Sequence, residues 1–264
     1  MRQRSTGSRH ALRSPREKIY IYGKHALEEA LANAPQVVRK VFLAHEIEEP
    51  ELRDLLKRRG VPVEAMRSRD ADRMVGGDAA HQGVIAVADP GLLVVDFRDF
   101  MRRFEAPAPM PGPETMLVLL DELTDPHNVG AIIRSAAAFG AAGVLLPSHH
   151  QAPITGAVVK ASAGMVFRVP LVSLGNVNQA VDALREAGFR TYGLAVQGDR
   201  VLADEAFEAP ALIIVGNEAH GIREKTLERC DAMLRIPMDA RVESLNASVS
   251  AAVVLYQWSV RHRP

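Results

Sequence analysis

The residues best suited to do chemistry fall in three stretches of the carboxyl-terminal half. In the first, Asp121-Glu-Leu-Thr-Asp-Pro-His-Asn-Val-Gly-Ala-Ile-Ile-Arg134, an apolar run ends in a polar loop and a helical pattern follows. Asn128 can cap that helix, Ile132, Ile133, Ala136 and Phe139 form its apolar stripe, and Gly140 can stop it. Arg134 stands charged beside the stripe. A lone helix arginine is ordinarily a solvated face residue, but this helix springs from the end of a predicted buried strand. Ligands of open α/β sheets bind at that edge. An arginine there can hold an anion through its planar fork and stabilise developing negative charge.

The second stretch is Leu212-Ile-Ile-Val-Gly-Asn-Glu-Ala-His-Gly-Ile222. A strand-like run enters Gly216, with Asn217 and Glu218 on the turn and Gly221 after it. Taken alone this is an ordinary strand-to-helix turn, although glycine lets a backbone approach a ligand closely. It is not a GxGxxG fingerprint, and no GxxxxGK[ST] phosphate loop occurs anywhere. The third is Ile236-Pro-Met-Asp-Ala-Arg-Val-Glu-Ser-Leu-Asn246. Pro237 fixes a short apolar piece that includes Met238, and Ser244 or Asn246 can cap a helix with Val249, Ala252, Val253 and Tyr256 on one face. Ser248 and Ser250 read as packing residues. The adjacent His149 and His150 have no acidic partner set, so no metal is expected. His127 reads as structural or RNA-facing rather than as a general base.

These stretches need a frame. Met116–Leu120, Gly143–Leu146, Thr191–Ala195 and Leu212–Val215 are continuous apolar runs, which predict strands buried on both faces of a parallel sheet. Helices are predicted over Val129–Phe139, Val177–Ala187, Arg223–Arg229 and Leu245–Ser259. Upstream, Ile19–Ala88 reads as a small α/β module. It has helical spacing at Ala26, Leu27, Ala30 and Leu31, strands at Val37–Ala44, Val61–Val63 and Gly83–Ala88, and an amphipathic helix at Glu49–Arg59. Pro90, Pro107, Pro109, Pro111 and Pro113 mark a linker over 90–114, with room for a short helix in Val94–Phe104. The expected organisation is an arm at 1–17, a first domain at 18–89, the linker, and a second domain at 115–264.

Composition narrows the functions. The chain has 264 residues, 47% of them apolar, and a formal net charge of zero. The neutrality hides an asymmetry: Arg2, Arg4, Arg9, Arg13, Arg16 and Lys18 face Glu17 alone. Such an arm is expected to be disordered, as a solubilising tail or as one that steers RNA by releasing counterions at phosphates. No apolar run approaches the ~20 residues of a membrane span, and no segment has the order of a secretory signal. A single cysteine, Cys230, excludes an intramolecular disulfide and a Cys-based zinc site, and a cytoplasmic location fits.

The ordered set N-x-G-x-x-x-R, G-x-E-x-x-G and I-P-M…S-L-N-x-S resembles the three motifs of the SpoU (TrmH) family of RNA 2′-O-methyltransferases. Tyr22-Gly-Lys-His-Ala26 and His81-Gln-Gly83 extend the resemblance to members that act on a guanosine of large-subunit (23S) rRNA, from about Ile19 onward. It implies a trefoil-knotted α/β SPOUT methyltransferase domain behind a small L30e-like α/β substrate-binding domain. Topology rules alone would discard the knot. It implies S-adenosyl-L-methionine as cofactor, bound at Gly216, Asn217, Ile236, Met238 and Leu245. It implies that Arg134 is catalytic, with Asn128, Glu218, Ser244 and Asn246 holding it and the ribose. A guanidinium is effectively always protonated, which favours Arg134 as an orienting group over a base. The resemblance also implies a homodimer, with the apolar terminal helix as a contact surface. Met165 and Phe167 are bulkier than the family pattern leads one to expect, which bears on RNA contacts. The alternatives are a tRNA substrate, a non-catalytic RNA-binding protein that keeps the fold, and a nucleotide- or NAD-binding protein. The missing phosphate loop disfavours the last.

Overall fold

The computed structural model describes residues 18–45, 49–76, 80–105 and 108–262, so the basic arm lies outside the described residues. The amino-terminal unit comprises β1 (Ile19–Tyr22), α1 (Lys24–Asn33), β2 (Val38–Ala44), α2 (Pro50–Arg58), β3 (Val63–Met66), α3 (Ser68–Val75) and β4 (Val84–Ala88). Its sheet has the order β1-β4-β2-β3, with β2 and β3 parallel and the other pairs antiparallel. Alternation along β1 and β2 sends Ile19, Ile21, Val41 and Leu43 to one face, where Leu27 and Leu31 of α1 and Leu52 and Leu56 of α2 bury them. Tyr20, Tyr22 and Phe42 go to the other face, with Met66, Ala71 and Met74. The strand predicted from Val61 starts two residues later than expected, after Pro62, which donates no ladder hydrogen bond.

The stretch 90–114 carries structure of its own: β5 (Val94–Asp96) and α4 (Phe97–Met101). β5 pairs in parallel with a strand of the second sheet, so this segment supplies a sheet edge before the prolines interrupt it.

The carboxyl-terminal unit continues with β6 (Met116–Asp121), α5 (Pro126–Phe139), β7 (Gly143–Pro147), α6 (Gly156–Ala161), β8 (Leu171–Leu174), α7 (Val177–Glu186), β9 (Arg190–Leu194), β10 (Arg200–Val201), β11 (Ala211–Gly216), α8 (Glu224–Leu227), β12 (Ala232–Arg235) and α9 (Ala247–His262). Its eight-stranded sheet runs β10-β12-β9-β11-β6-β7-β8-β5, and every pair is parallel. Both faces are covered, as the apolar runs predict. Met116, Val118 and Leu120 of β6 pack with Ile132, Ile133 and Ala136 of α5 and with Val254, Leu255 and Trp258 of α9. Leu117 and Leu119 pack on the opposite side with Val181 and Leu184 of α7 and Phe100 of α4.

The two units share one continuous core, and polar contacts fasten the seam. Arg168 donates to Glu29 of α1 through Nε at 2.6 Å and Nη2 at 2.8 Å. That contact holds the Glu29 carboxyl below its ordinary value. A Cβ on Gly156 would lie 2.4 Å from the Tyr20 carbonyl oxygen, so α6 meets β1 backbone to backbone. Phe167 is buried beside this seam. Its bulk fills core between the units and does not face solvent.

Candidate active site

The sheet order changes direction at β6. The chain builds β7 and β8 on one side of it and β11, β9 and β12 on the other, and loops leaving a switch of this kind open a crevice at the strands' carboxyl ends. The register makes the juxtaposition concrete: Gly216 at the end of β11 pairs with Asp121 at the end of β6. Two of the three motifs therefore begin side by side.

Asp125, not Asn128, caps α5. Its carboxylate accepts from the His127 backbone N–H at 2.9 Å, and Pro126 takes the first helical position. Asn128 is thereby free for other work, and it is buried. Its Nδ2 donates to Glu218 Oε1 at 2.6 Å, and its Oδ1 accepts from Asn246 Nδ2 at 3.0 Å. One hydrogen-bonded chain thus joins the three motifs. Asn246 also caps α9, its Oδ1 accepting from the backbone N–H of Ser248 at 2.9 Å. Gly130 has a packing reason: a Cβ there would come 2.5 Å from Ala161 Cβ on α6.

Around the chain lies a cavity of about 520 Å³ at the ends of β9, β11 and β12. Gly216, Asn217, Glu218, Ile236, Met238, Ser244, Leu245 and Asn246 all line it, with Leu194, Ile222 and Leu234 as apolar walls. The Gly216 turn is tight. Asn217 and Gly221 exchange backbone hydrogen bonds at 2.9 and 2.8 Å, and a Cβ on Gly216 would strike the Gly221 carbonyl carbon at 2.3 Å. Arg134 is not brought into this group. It is exposed on α5, makes no hydrogen bond or ion pair among the described residues, and does not line the cavity.

A second set of contacts escaped sequence reasoning. Asp121 is fully buried and accepts from Arg223 twice, from Nε at 2.8 Å and from the backbone N–H at 3.0 Å, with Nη2 in an ion pair at 2.6 Å. Arg223 Nη1 also lies 3.1 Å from Glu122 Oε1, and Asn217 Nδ2 donates to the Glu122 carbonyl at 2.8 Å. Glu122 has a left-handed φ of 64°, a strained conformation that these bonds hold. Together they staple the loop after β6 to the loop after β11. The available signal was a carboxylate closing a wholly apolar strand, with an arginine just past the second motif. Among the described residues no group of His, Cys, Asp and Glu is arranged to hold a metal.

Fold and site together define an α/β protein with a ligand-sized cavity at the carboxyl edge of a parallel sheet and a second, smaller α/β unit fastened to it. Residues 115–256 match the SpoU rRNA Methylase family, and residues 20–91 match the RNA 2′-O ribose methyltransferase substrate-binding domain; the chain belongs to the SpoU rRNA methylase family. It is 34% identical over 250 residues to the 23S rRNA (guanosine-2′-O-)-methyltransferase RlmB of Pseudomonas putida, covering 92% of this chain and 96% of that one. It is 32% identical to the protein of the same name from Xanthomonas axonopodis pv. citri, covering 94% and 98%. Among solved structures it resembles the SpoU methyltransferase AviRb from Streptomyces viridochromogenes in complex with AdoMet. There the TM-score is 0.75 and the identity 27%, covering 92% of this chain and 90% of that one.

Proposed function

We propose that this chain is an S-adenosyl-L-methionine-dependent RNA ribose 2′-O-methyltransferase whose substrate is a guanosine of 23S rRNA. The observation that carries the reading is the Asn246–Asn128–Glu218 chain at the mouth of an apolar slot. The slot fits the cofactor physically. Its volume of about 520 Å³ falls within the roughly 300–1,000 Å³ of small-molecule sites, and apolar walls meet the tight Gly216 turn there. Bound there, the cofactor would supply a methyl group on a sulfonium that is a good leaving group.

The protein's own task is then to align a ribose hydroxyl and manage one proton. Asn128, Glu218, Ser244 and Asn246 would hold the ribose, since amides and hydroxyls both donate and accept. Arg134 would bind the neighbouring phosphate and favour the alkoxide through its fork.

Its isolation in a single chain goes with a homodimer. Ala131 and Ser135 of α5 line a groove with Val249, Val253 and Tyr256 of α9, and Val249, Tyr256 and Val260 are exposed. A second copy on this groove would close the site around Arg134, which precedes Ser135. The trefoil knot would be drawn by the segment between β12 and α9 that walls the slot. Action on rRNA would place the protein in the cytoplasm, and no helix among the described residues is long and apolar enough to cross a membrane.

The test is to incubate the protein with labelled S-adenosyl-L-methionine and either 23S rRNA or tRNA, and to map ribose methylation in total RNA from a strain lacking the gene. Label in 23S rRNA, with one guanosine losing its methyl in the deletion strain, is the expected result. Label in tRNA alone would move the substrate, and RNA binding without transfer would leave only a binding protein.

A further inference from the structure

The amino-terminal sheet has one face covered by α1 and α2 and another that α3 covers only in part. The register sets that outer face in rows. Tyr20 on β1, Val87 on β4 and Lys40 on β2 are direct neighbours, and the next row is Tyr22, Ile85 and Phe42. α3 closes over the second row, where Ile85, Met66 and Ala71 are buried together. The first row stays open. It floors a cavity of about 360 Å³ rimmed by Lys18 and Arg39, and Phe42 separates this from a second cavity of about 240 Å³ beside Arg73. The two aromatic rings are half-buried, so each presents a surface without being free to swing. Lys40 Nζ already lies 5.5 Å from the Phe42 ring centroid.

We propose that this open row, with Phe42 beside it, is a stacking surface for single-stranded RNA adjoining the methylated nucleotide. The proposal rests on the RNA substrate argued above. Aromatic faces bordered by cations accept unpaired bases and their phosphates, whereas bases in a duplex are stacked on one another and unavailable. The acids at the rim do not reverse the sign. Asp89, itself buried, holds Arg39 at 2.8 Å, while Glu64 holds Lys40 at 2.6 Å in an exposed pair that contributes little and can yield to a phosphate. Lys18, Arg39 and Lys40 line the cavity against Asp89 alone, so the surroundings favour an anionic occupant. The row also leads to the other unit. The neighbouring Tyr22 ring has Lys160 of α6 at 5.4 Å from its centroid, and α6 packs on Gly130 of α5, the helix that carries Arg134.

The test uses the full chain and two probes, an unstructured RNA dodecamer and a duplex of equal length. Tyr20→Leu and Phe42→Leu keep the apolar bulk and remove the ring face. Each is expected to weaken dodecamer binding about 10-fold, the scale of one lost base stack, with little change for the duplex and none in cofactor affinity. Because either ring could also support the sheet, a second measurement uses the unaltered protein. Ultraviolet cross-linking to the dodecamer, read by mass spectrometry, should mark the peptides that contain Tyr20 or Phe42. Unchanged dodecamer affinity in both variants, or cross-links confined to other peptides, would overturn the surface while leaving the methyltransferase reading intact. Failure of the unaltered protein to bind or methylate any RNA would instead overturn that reading, and the proposal with it.

Discussion

The carboxyl edge of the eight-stranded sheet and the outer face of the amino-terminal sheet meet their partners in opposite ways. At the edge, polar groups are fixed before any ligand arrives: Asn128 is held from two sides, and Asp121 is buried under Arg223. On the outer face, cations and rings lie half-exposed: Lys40 is tied by an exposed ion pair to Glu64, and only Arg39 is anchored on a buried carboxylate, that of Asp89. The difference follows from the tasks. Stabilising a transition state requires donors that need not reorganise, whereas gripping a flexible strand tolerates groups that adapt. Arg134 stands between the two conditions, placed by a rigid helix yet unpartnered among the described residues.

The largest effect should come from Arg134. Arg134→Ala and Arg134→Lys are both expected to lose turnover by on the order of 10²-fold or more, the scale for one preorganised charge-stabilising donor. Lysine cannot substitute, because an ammonium lacks the planar fork. Cofactor affinity, measured separately by calorimetry, should barely move, since Arg134 does not line the slot. Near-normal turnover in the Lys variant would reduce Arg134 to general electrostatics.

Next comes the fixed network itself. Asn128→Ala removes both bonds of the chain that joins the three motifs, at roughly 1 kcal/mol each. Turnover should fall about 10-fold and the thermal midpoint by a few degrees. If turnover survives while stability drops, the chain is scaffolding and the contrast between edge and face collapses.

How far the sequence disclosed this design varies with burial. The strands β6, β7, β9 and β11 were legible because a parallel sheet covered on both faces demands unbroken apolar runs. Helices α5 and α7 were legible from their stripes and stops. β5, β10 and β12 are short and lie toward the sheet's edges, where only a few residues are apolar, and α3 and α6 are too short or too charged to show a period. At the candidate site the grouping was legible, in that eight of the named positions line one cavity. Its joinery was not. That Asn128 faces Glu218, and that Arg223 reaches back to Asp121 across 102 positions, depends on β11 lying beside β6, which no local pattern encodes.

Charge outside the described residues gives a smaller effect. Deleting 1–17 removes five arginines and one glutamate. RNA affinity should drop several-fold at low salt, and the loss should fade as the Debye length shrinks to about 10 Å near 0.1 M. Equal affinity at low salt with and without these residues would make them a passive tail.

The smallest effect concerns the seam that joins the two regions. Arg168 holds the Glu29 carboxylate, and so holds its proton affinity below the ordinary 4.5. A carboxyl depressed on folding contributes stability that is present above its unfolded value and lost as pH falls through the folded one. Arg168 is half-exposed, so solvent screening keeps the contribution small. Glu29→Gln keeps the shape and removes the charge; its one carbonyl oxygen can still accept from Asn33 and Arg168 Nε, while the bond from Arg168 Nη2 is lost. At pH 7 it should therefore lower the midpoint of chemical denaturation slightly. As pH falls through the lowered value of the folded carboxyl, the variant and the parent should converge, because the parent's carboxyl is then protonated too. Cofactor affinity should be unchanged, since Glu29 is in the amino-terminal unit. Methylation of long RNA should fall a few-fold if the seam sets how the stacking face is aimed at the fixed edge, and should not change if the shared apolar core alone does so. A gap between variant and parent that widened in acid would reverse the sign argued here, and the carboxylate would then be a burden that packing overcomes.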